Sequence, residues 1–389
     1  MRPRSTRLLA MLSVVVLAVV LPACSSSAAL PIHHRDESDA IRITRVDALH
    51  FTSGRAGWAI LTLASNGQQD VARTVNGGHL WILSRAFPTG VRAYLHVVSS
   101  NTVYVLLQSQ TGQVTVLRTV NGGKTWLSVA IPTPGIDDSW TGSFGARSTS
   151  WLLSCAPPSL SGTQCELFRT MHGGLHWQHL SSFPVVGLIP NGVTFIANDG
   201  WITGQNHSSN AAEVLSTRDE GRTWAPVPLI LPTSAARNAD TYPVTPRSKT
   251  LLLPAVLYEK EGAGFLLYQV VHGVFRPTAP LSTDASPTAT SGPSTLRYSI
   301  VSRAVTYVLA SPNLYRTANA GRSWEVVNAR VPSWAIMAFV NPLVGYAVQL
   351  AGKHTHPILW TTTDGGGTWT HVLYKVTSPS KRPELAGAR

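Results

Sequence analysis

The sequence predicts an all-β protein whose ordered part is a single seven-bladed β-propeller of four-stranded antiparallel blades. Three observations carry that expectation. One motif occurs six times, as RTVNGGHLW (Arg73 to Trp81), RTVNGGKTW (Arg118 to Trp126), RTMHGGLHW (Arg169 to Trp177), STRDEGRTW (Ser216 to Trp224), RTANAGRSW (Arg316 to Trp324) and TTTDGGGTW (Thr361 to Trp369). Successive copies start 45, 51, 47, 100 and 45 residues apart, and the interval of 100 is two periods. Periods of about 40 to 50 residues in a chain of strand-like segments are the spacing of propeller blades. Upstream of the motif, Phe51 to Ile60, Phe195 to Gly204 and Phe339 to Val348 each read as a strand, a short turn and a second strand. Each period therefore supplies strands A and B, a strand C that ends in the motif, and a strand D that starts at its tryptophan.

The first 24 of the 389 residues have a character of their own. Arg2, Arg4 and Arg7 form a basic head, and an apolar run from Leu8 to Leu21 leads into Leu21-Pro22-Ala23-Cys24. That run is too short to cross a bilayer core as a helix, so residues 1–24 read as an export signal. Its end resembles the lipobox of bacterial lipoproteins, which implies that Cys24 is lipidated and becomes the new N-terminus; the bland reading is ordinary cleavage near Ala23. Residues 25–40, opening on Ser25-Ser26-Ser27, read as a flexible tether. The expected location is exported and membrane-anchored, facing the periplasm or the cell exterior.

The propeller is expected over residues 41–376, with blades at Val46 to Phe87, Val91 to Ile131, Ser139 to Phe183, Asn191 to Ile230, Tyr242 to Leu281, Leu296 to Val331 and Trp334 to Lys375. The doubled interval places a degenerate unit near residue 268, where Tyr268 to Phe275 reads YQVVHGVF. Each blade is complete in sequence, so no donated strand is evident; Ile41 to Thr44 is the one candidate for such a closure. Residues 377–389, rich in Ser, Pro and basic residues, read as a frayed tail.

Within the motif, an Asn or Asp in the turn can accept bonds from backbone N–H groups further on. The glycine takes the positive φ that the turn requires, and the tryptophan packs on its neighbours. The positions concerned are Asn76, Gly78 and Trp81; Asn121, Gly123 and Trp126; His172, Gly174 and Trp177; Asp219, Gly221 and Trp224; Asn319, Gly321 and Trp324; and Asp364, Gly366 and Trp369. These strings resemble the Asp-box, Ser/Thr-x-Asp-x-Gly-x-Thr-Trp, of BNR-repeat propellers. Only Asp219 and Asp364 keep the aspartate, which fits a role in the turn and not in catalysis.

Among such propellers, sialidases resemble the chain in blade motif. Their chemistry, an arginine triad, a tyrosine activated by glutamate and an acidic proton donor, has no counterpart here. Acids number only 19, and Tyr258 and Glu259, adjacent on a strand, point to opposite faces. The aromatic-Gly-Trp strand followed by the motif is closer to the propellers of photosystem II assembly and stability factors. That resemblance implies a non-enzymatic platform for a protein partner at a membrane surface, with glycan binding or a sialidase-like hydrolase as the alternative.

Export makes a disulfide between Cys155 and Cys165 reasonable, at the open end of a hairpin. In this blade phase all motif turns share one face of the disc, and the longer B–C and D–A loops share the other. Asp137, Asp138 and Trp140 on that loop-rich face are the first candidates for binding, although Trp140 reads equally as the start of a core strand. His354 and His356 have the alternate spacing of two ligands on one strand face, and His172, His176 and His179 form a second group. Neither group has carboxylates or cysteines beside it, so both read as solvated histidines; no metal and no cofactor are expected. The formal charge of +12 falls to about +9 once Arg2, Arg4 and Arg7 leave with the signal. Its arginines are scattered, so nucleic acid is not an expected partner, and the expected state is a monomer.

Overall fold

The computed structural model describes residues 40–389 apart from 133–138, 146–147, 158–162, 186–187, 210, 231–238, 244, 248–249, 260–261, 272–273, 284–295, 333, 351–355, 380–384 and 387–389. Cys24 and the tether up to residue 39 lie outside the described residues. Among the described residues there are strands and turns and no helix.

Seven antiparallel sheets follow one another in chain order. Blade one comprises Ile43–Phe51, Gly57–Leu63, Gln69–Thr74 and Leu80–Ala86. Blade two runs from Val91–Val97 to Trp126–Ile131, blade three from Ser139–Phe144 to Gln178–Val185, and blade four from Leu188–Ile196 to Ala225–Pro226. Blade five runs from Ala239–Thr241 to Leu281–Thr283, blade six from Arg297–Ile300 to Glu325–Asn328, and blade seven from Ile336–Phe339 to Thr370–Val372. The degenerate unit expected near residue 268 is blade five. There Gly262–Val271 pairs with Val274–Pro277 up to Val271 opposite Val274, in place of the six-fold motif turn.

The ring closes through packing at every seam. Seven separate apolar clusters each span two neighbouring blades, and the one joining blade seven to blade one is built from Ile43, Phe51, Trp81, Tyr346, Leu359 and Val376 among others. An aromatic on strand B of one blade stacks on the aromatic that ends strand A of the next at four of these seams: Tyr346 on Phe51 at 3.5 Å, Tyr104 on Phe144 at 4.5 Å, Trp151 on Phe195 at 4.4 Å and Tyr307 on Phe339 at 3.6 Å. The glycine of the aromatic-Gly-Trp pattern is what lets that ring in. A Cβ on Gly200 would sit 2.5 Å from the Phe195 ring, and one on Gly345 would sit 2.7 Å from the Phe339 ring.

The two ends of the chain meet on blade one. Lys375–Thr377 adds a fifth, parallel strand beside Leu80–Ile82, and the Ile41 N–H donates to the Val376 carbonyl at 2.9 Å. Blade seven therefore ends at Val372 and not near Lys375, and the strand added across the junction comes from the C-terminal side. Ile43 and Thr44 belong to strand A of blade one itself. Within the segment expected to fray, Leu385–Ala386 pairs in parallel with Trp126–Leu127 of blade two.

A threonine hydroxyl organises each motif turn. Thr74 Oγ1 accepts the Gly78 N–H at 3.0 Å and donates to Asn76 Oδ1 at 3.0 Å, while Asn76 Oδ1 accepts the Leu80 N–H at 2.9 Å. The bond to the glycine recurs at 2.9 Å for Thr119, Thr170, Thr217, Thr317 and Thr362, all of them buried. Gly78 can close the turn because its φ is +90°, a conformation that penalises any Cβ. The preceding N–H of each turn donates across to the A–B turn of its own blade, as Gly77 does to the Arg55 carbonyl at 2.9 Å. In blade seven, the bonds from Thr368 and Thr362 hold the Asp364 carboxyl down at about 2 from an ordinary 3.8. In blade four, the bonds from Thr223 and Thr217 push Asp219 the same way. A depressed carboxylate stabilises the fold above its unfolded pKa, and that contribution is lost as pH falls through the folded value. Thermal melts should therefore show an acid limb between about pH 4 and pH 2 that flattens in Asp364→Asn combined with Asp219→Asn. An unchanged limb would show that other groups carry it.

Candidate functional site

The residues picked out from the sequence are dispersed by the fold. Trp140 lies in strand Ser139–Phe144, is 7% exposed and stacks on Phe168 at 5.7 Å, so it belongs to the core between blades two and three and not to a binding surface. Asp137, Asp138 and His354 fall outside the described residues. The His356 ring is bonded at 3.1 Å to the Ile43 carbonyl, which makes it part of the blade seven to blade one contact. His172 and His176 lie 6.2 Å apart, and His179 sits 3.6 Å from Glu166. Among the described residues no three His, Cys, Asp or Glu side chains gather as a metal site would need. Cys155 and Cys165 stand directly opposite each other across a hairpin and are joined, with Cα atoms 4.1 Å apart, inside the core of the third seam.

Two concavities lie on the motif-turn face, both at blade one. The residue that precedes the motif threonine lies at the seams beside them. Arg73 donates to the Gly122 carbonyl of blade two at 3.2 Å and lies over the Trp58 ring; Arg118 lies over Tyr104 and against Gly173 of blade three; Arg169 pairs with Glu220 of blade four. Arg316 reaches toward Gly365 of blade seven, and in blade five Gln269 takes the same place, donating to the Ala320 carbonyl of blade six at 3.0 Å. These long side chains lie across their seams. Blades four and seven have short residues at this place, Ser216 and Thr361, and the Thr361 hydroxyl donates to the Gly345 carbonyl of its own blade at 3.2 Å. The seam between blades seven and one holds a cavity of about 450 Å³ lined by Arg55, Asn76, His79, Tyr346, Thr370 and His371 with neighbouring backbone. Burial raises the Tyr346 phenol, which stays neutral and donates to the Gly54 carbonyl at 2.8 Å.

A second cavity, of about 380 Å³, lies at the rim between blades one and two. Arg73, Val75, Ile82, Ser84, Lys124 and the tail residue Pro379 line it. Around both cavities the motif-turn face exposes large apolar side chains. Val75, Val120 and Met171, the same motif position in three successive blades, are 53%, 52% and 56% exposed, and Leu373 beside the blade-one turn is 85% exposed. Leu343 of blade seven and Ile196 of blade four, both in A–B turns, extend the row. In blades four, six and seven the motif position holds Arg218, Ala318 and Thr363, so the apolar row is confined to one arc.

No protein-family model and no curated protein matches the chain. Solved structures do match. A puromycin-hydrolysing peptidase of Mycobacterium tuberculosis superposes with a TM-score of 0.52 at 13% identity, over 90% of this chain and 55% of its own. The uncharacterized protein lmo1340 of Listeria monocytogenes EGD-e gives 0.50 at 8% identity, over 89% of this chain and 97% of that one. YCF48 bound to D1 peptide gives 0.47 at 15% identity, over 74% and 85%. What the likenesses to the peptidase and to lmo1340 share with the chain is its fold. It is a seven-bladed β-propeller.

Proposed function

We propose that the protein is an exported, membrane-anchored propeller that binds a protein partner without chemistry of its own, docking it on the motif-turn face of the arc from blade seven to blade four. One observation carries the reading: the exposed apolar row of Leu373, Val75, Val120 and Met171 beside two open cavities. Large apolar side chains gathered on one face are costly to leave in water and mark interaction sites. Cys24 supplies the anchor, and the propeller presents the face at the membrane surface. The loop-rich face, where the sequence placed binding, loses Trp140 to the core, which moves the weight of the argument to the opposite side.

The test is a pull-down from membranes with the full-length chain. A partner retained by the wild type and by Gln110→Glu on the loop-rich face should be lost from Val120→Asp combined with Met171→Asp. Retention by the double variant, or reproducible capture of a glycan in place of a protein, would reject the reading. Labelling with a lipid precursor, abolished in Cys24→Ala, tests the anchor separately.

A further inference from the structure

Blade one departs from its sister blades at two positions that line the seam cavity, and blade seven, like blade four, departs at a third. Where the A–B turn faces the motif, the other blades place Asn101, Ser148, Asn198, Ala304 and Leu343, and blade one places Arg55. At the eighth motif position, Thr125 and Ser323 accept the amide N–H of Asn121 and Asn319 at 2.8 Å. Blade one has Leu80 there, which cannot accept, so the Asn76 amide keeps its donors while its oxygen is used by Thr74 and Leu80. Blade seven brings Thr361 in place of the arginine.

The result is a cavity lined by a guanidinium, an amide and two imidazoles. Among the described residues Arg55 has no ion-pair partner, whereas Arg169 and Arg316 are each matched to a glutamate. His79 Nδ1 donates to the Leu373 carbonyl at 3.2 Å, so Nε2 is the nitrogen left for a ligand, an acceptor in the neutral ring and a donor in the charged one. The His371 ring stands edge-on to Trp360 at 3.9 Å. Thr370 adds a hydroxyl, and no carboxylate lines the space. A guanidinium, two imidazoles, an amide and a hydroxyl suit a group with several acceptor oxygens and negative charge.

We infer that the seam between blades seven and one is a binding site for a phosphate ester, held by Arg55, Asn76, His79 and His371 where an arginine crosses at four of the other seams. A carboxylate offers only two oxygens to this set, while a phosphate offers three or four, and a cavity of about 450 Å³ leaves room for its alcohol. The site does not depend on the docking of a protein partner. Its ligand is a free phosphate ester or the headgroup of a phospholipid.

Calorimetric titration of the full-length chain with glycerol phosphate, and co-sedimentation with phosphatidylglycerol against phosphatidylcholine vesicles, separate those sources. Arg55→Gln should weaken binding by at least about tenfold, the scale of losing a charge-assisted bond. Thr361→Arg should abolish binding by placing an arginine across the seam, with a thermal midpoint no lower than wild type, which distinguishes a filled site from a misfolded one. Binding of glycerol phosphate that responds to both variants supports a free ester, and binding only to phosphatidylglycerol vesicles with the same response supports a lipid headgroup. Binding of neither probe, or equal binding by wild type and both variants, would overturn the inference.

Discussion

Trp126→Ala should destabilise the propeller by about 3 to 5 kcal/mol, the range for emptying a buried aromatic site. The ring is 1% exposed and meets Trp58 of blade one edge-on at 6.1 Å, so its removal opens the core between blades one and two from both sides. It also breaks a chain of bonds. Trp126 Nε1 donates to Ser84 Oγ at 3.0 Å, and Ser84 Oγ donates to the Gly123 carbonyl at 3.0 Å. Trp177→Ala should cost less, because that ring is half-buried. Chemical denaturation followed by fluorescence checks both; equal losses would mean that the tryptophans act through the turn and not through packing.

The same comparison shows why some of the fold could be read from sequence and some could not. Repetition made the blades legible: six motif copies in phase leave room for one missing unit, and blade five lies there. The pairing of Cys155 with Cys165 was legible because two strand-like runs flank a short link. Trp140 was ambiguous because an aromatic at a loop-to-strand boundary has the same sequence pattern whether it faces solvent or a seam. The threonine that opens each motif turn drew no weight, since its hydroxyl works through backbone N–H groups that sequence does not display. The seam cavity was hidden for a different reason. It arises where Thr361 of blade seven meets Gly77 of blade one, residues remote in the chain, and the arginine missing from the motif is no sufficient signal, because Ser216 of blade four replaces it too.

Thr241→Val should cost about 2 to 3 kcal/mol, although it replaces one side chain by another of the same shape. Thr241 is fully buried on strand Ala239–Thr241 of blade five. Its hydroxyl accepts the Gly204 N–H of blade four at 2.8 Å and donates to the Gly204 carbonyl at 2.7 Å. The register of blade four shifts between Pro190 and Gly192, opposite Gly204, so the ladder leaves this peptide to be completed from the neighbouring blade. A valine fills the volume and offers neither donor nor acceptor, which orphans a backbone N–H in a dry seam; that desolvation penalty, and not lost packing, sets the size of the effect. Gly204 cannot be changed to relieve it, because a Cβ there would lie 2.0 Å from the Ile189 carbonyl oxygen. Thr241→Ser keeps the hydroxyl and loses only a methyl group, so it should recover most of the difference in denaturation midpoint. If serine and valine were equally destabilising, the methyl would be the element that matters and the clasp between blades four and five would be packing alone.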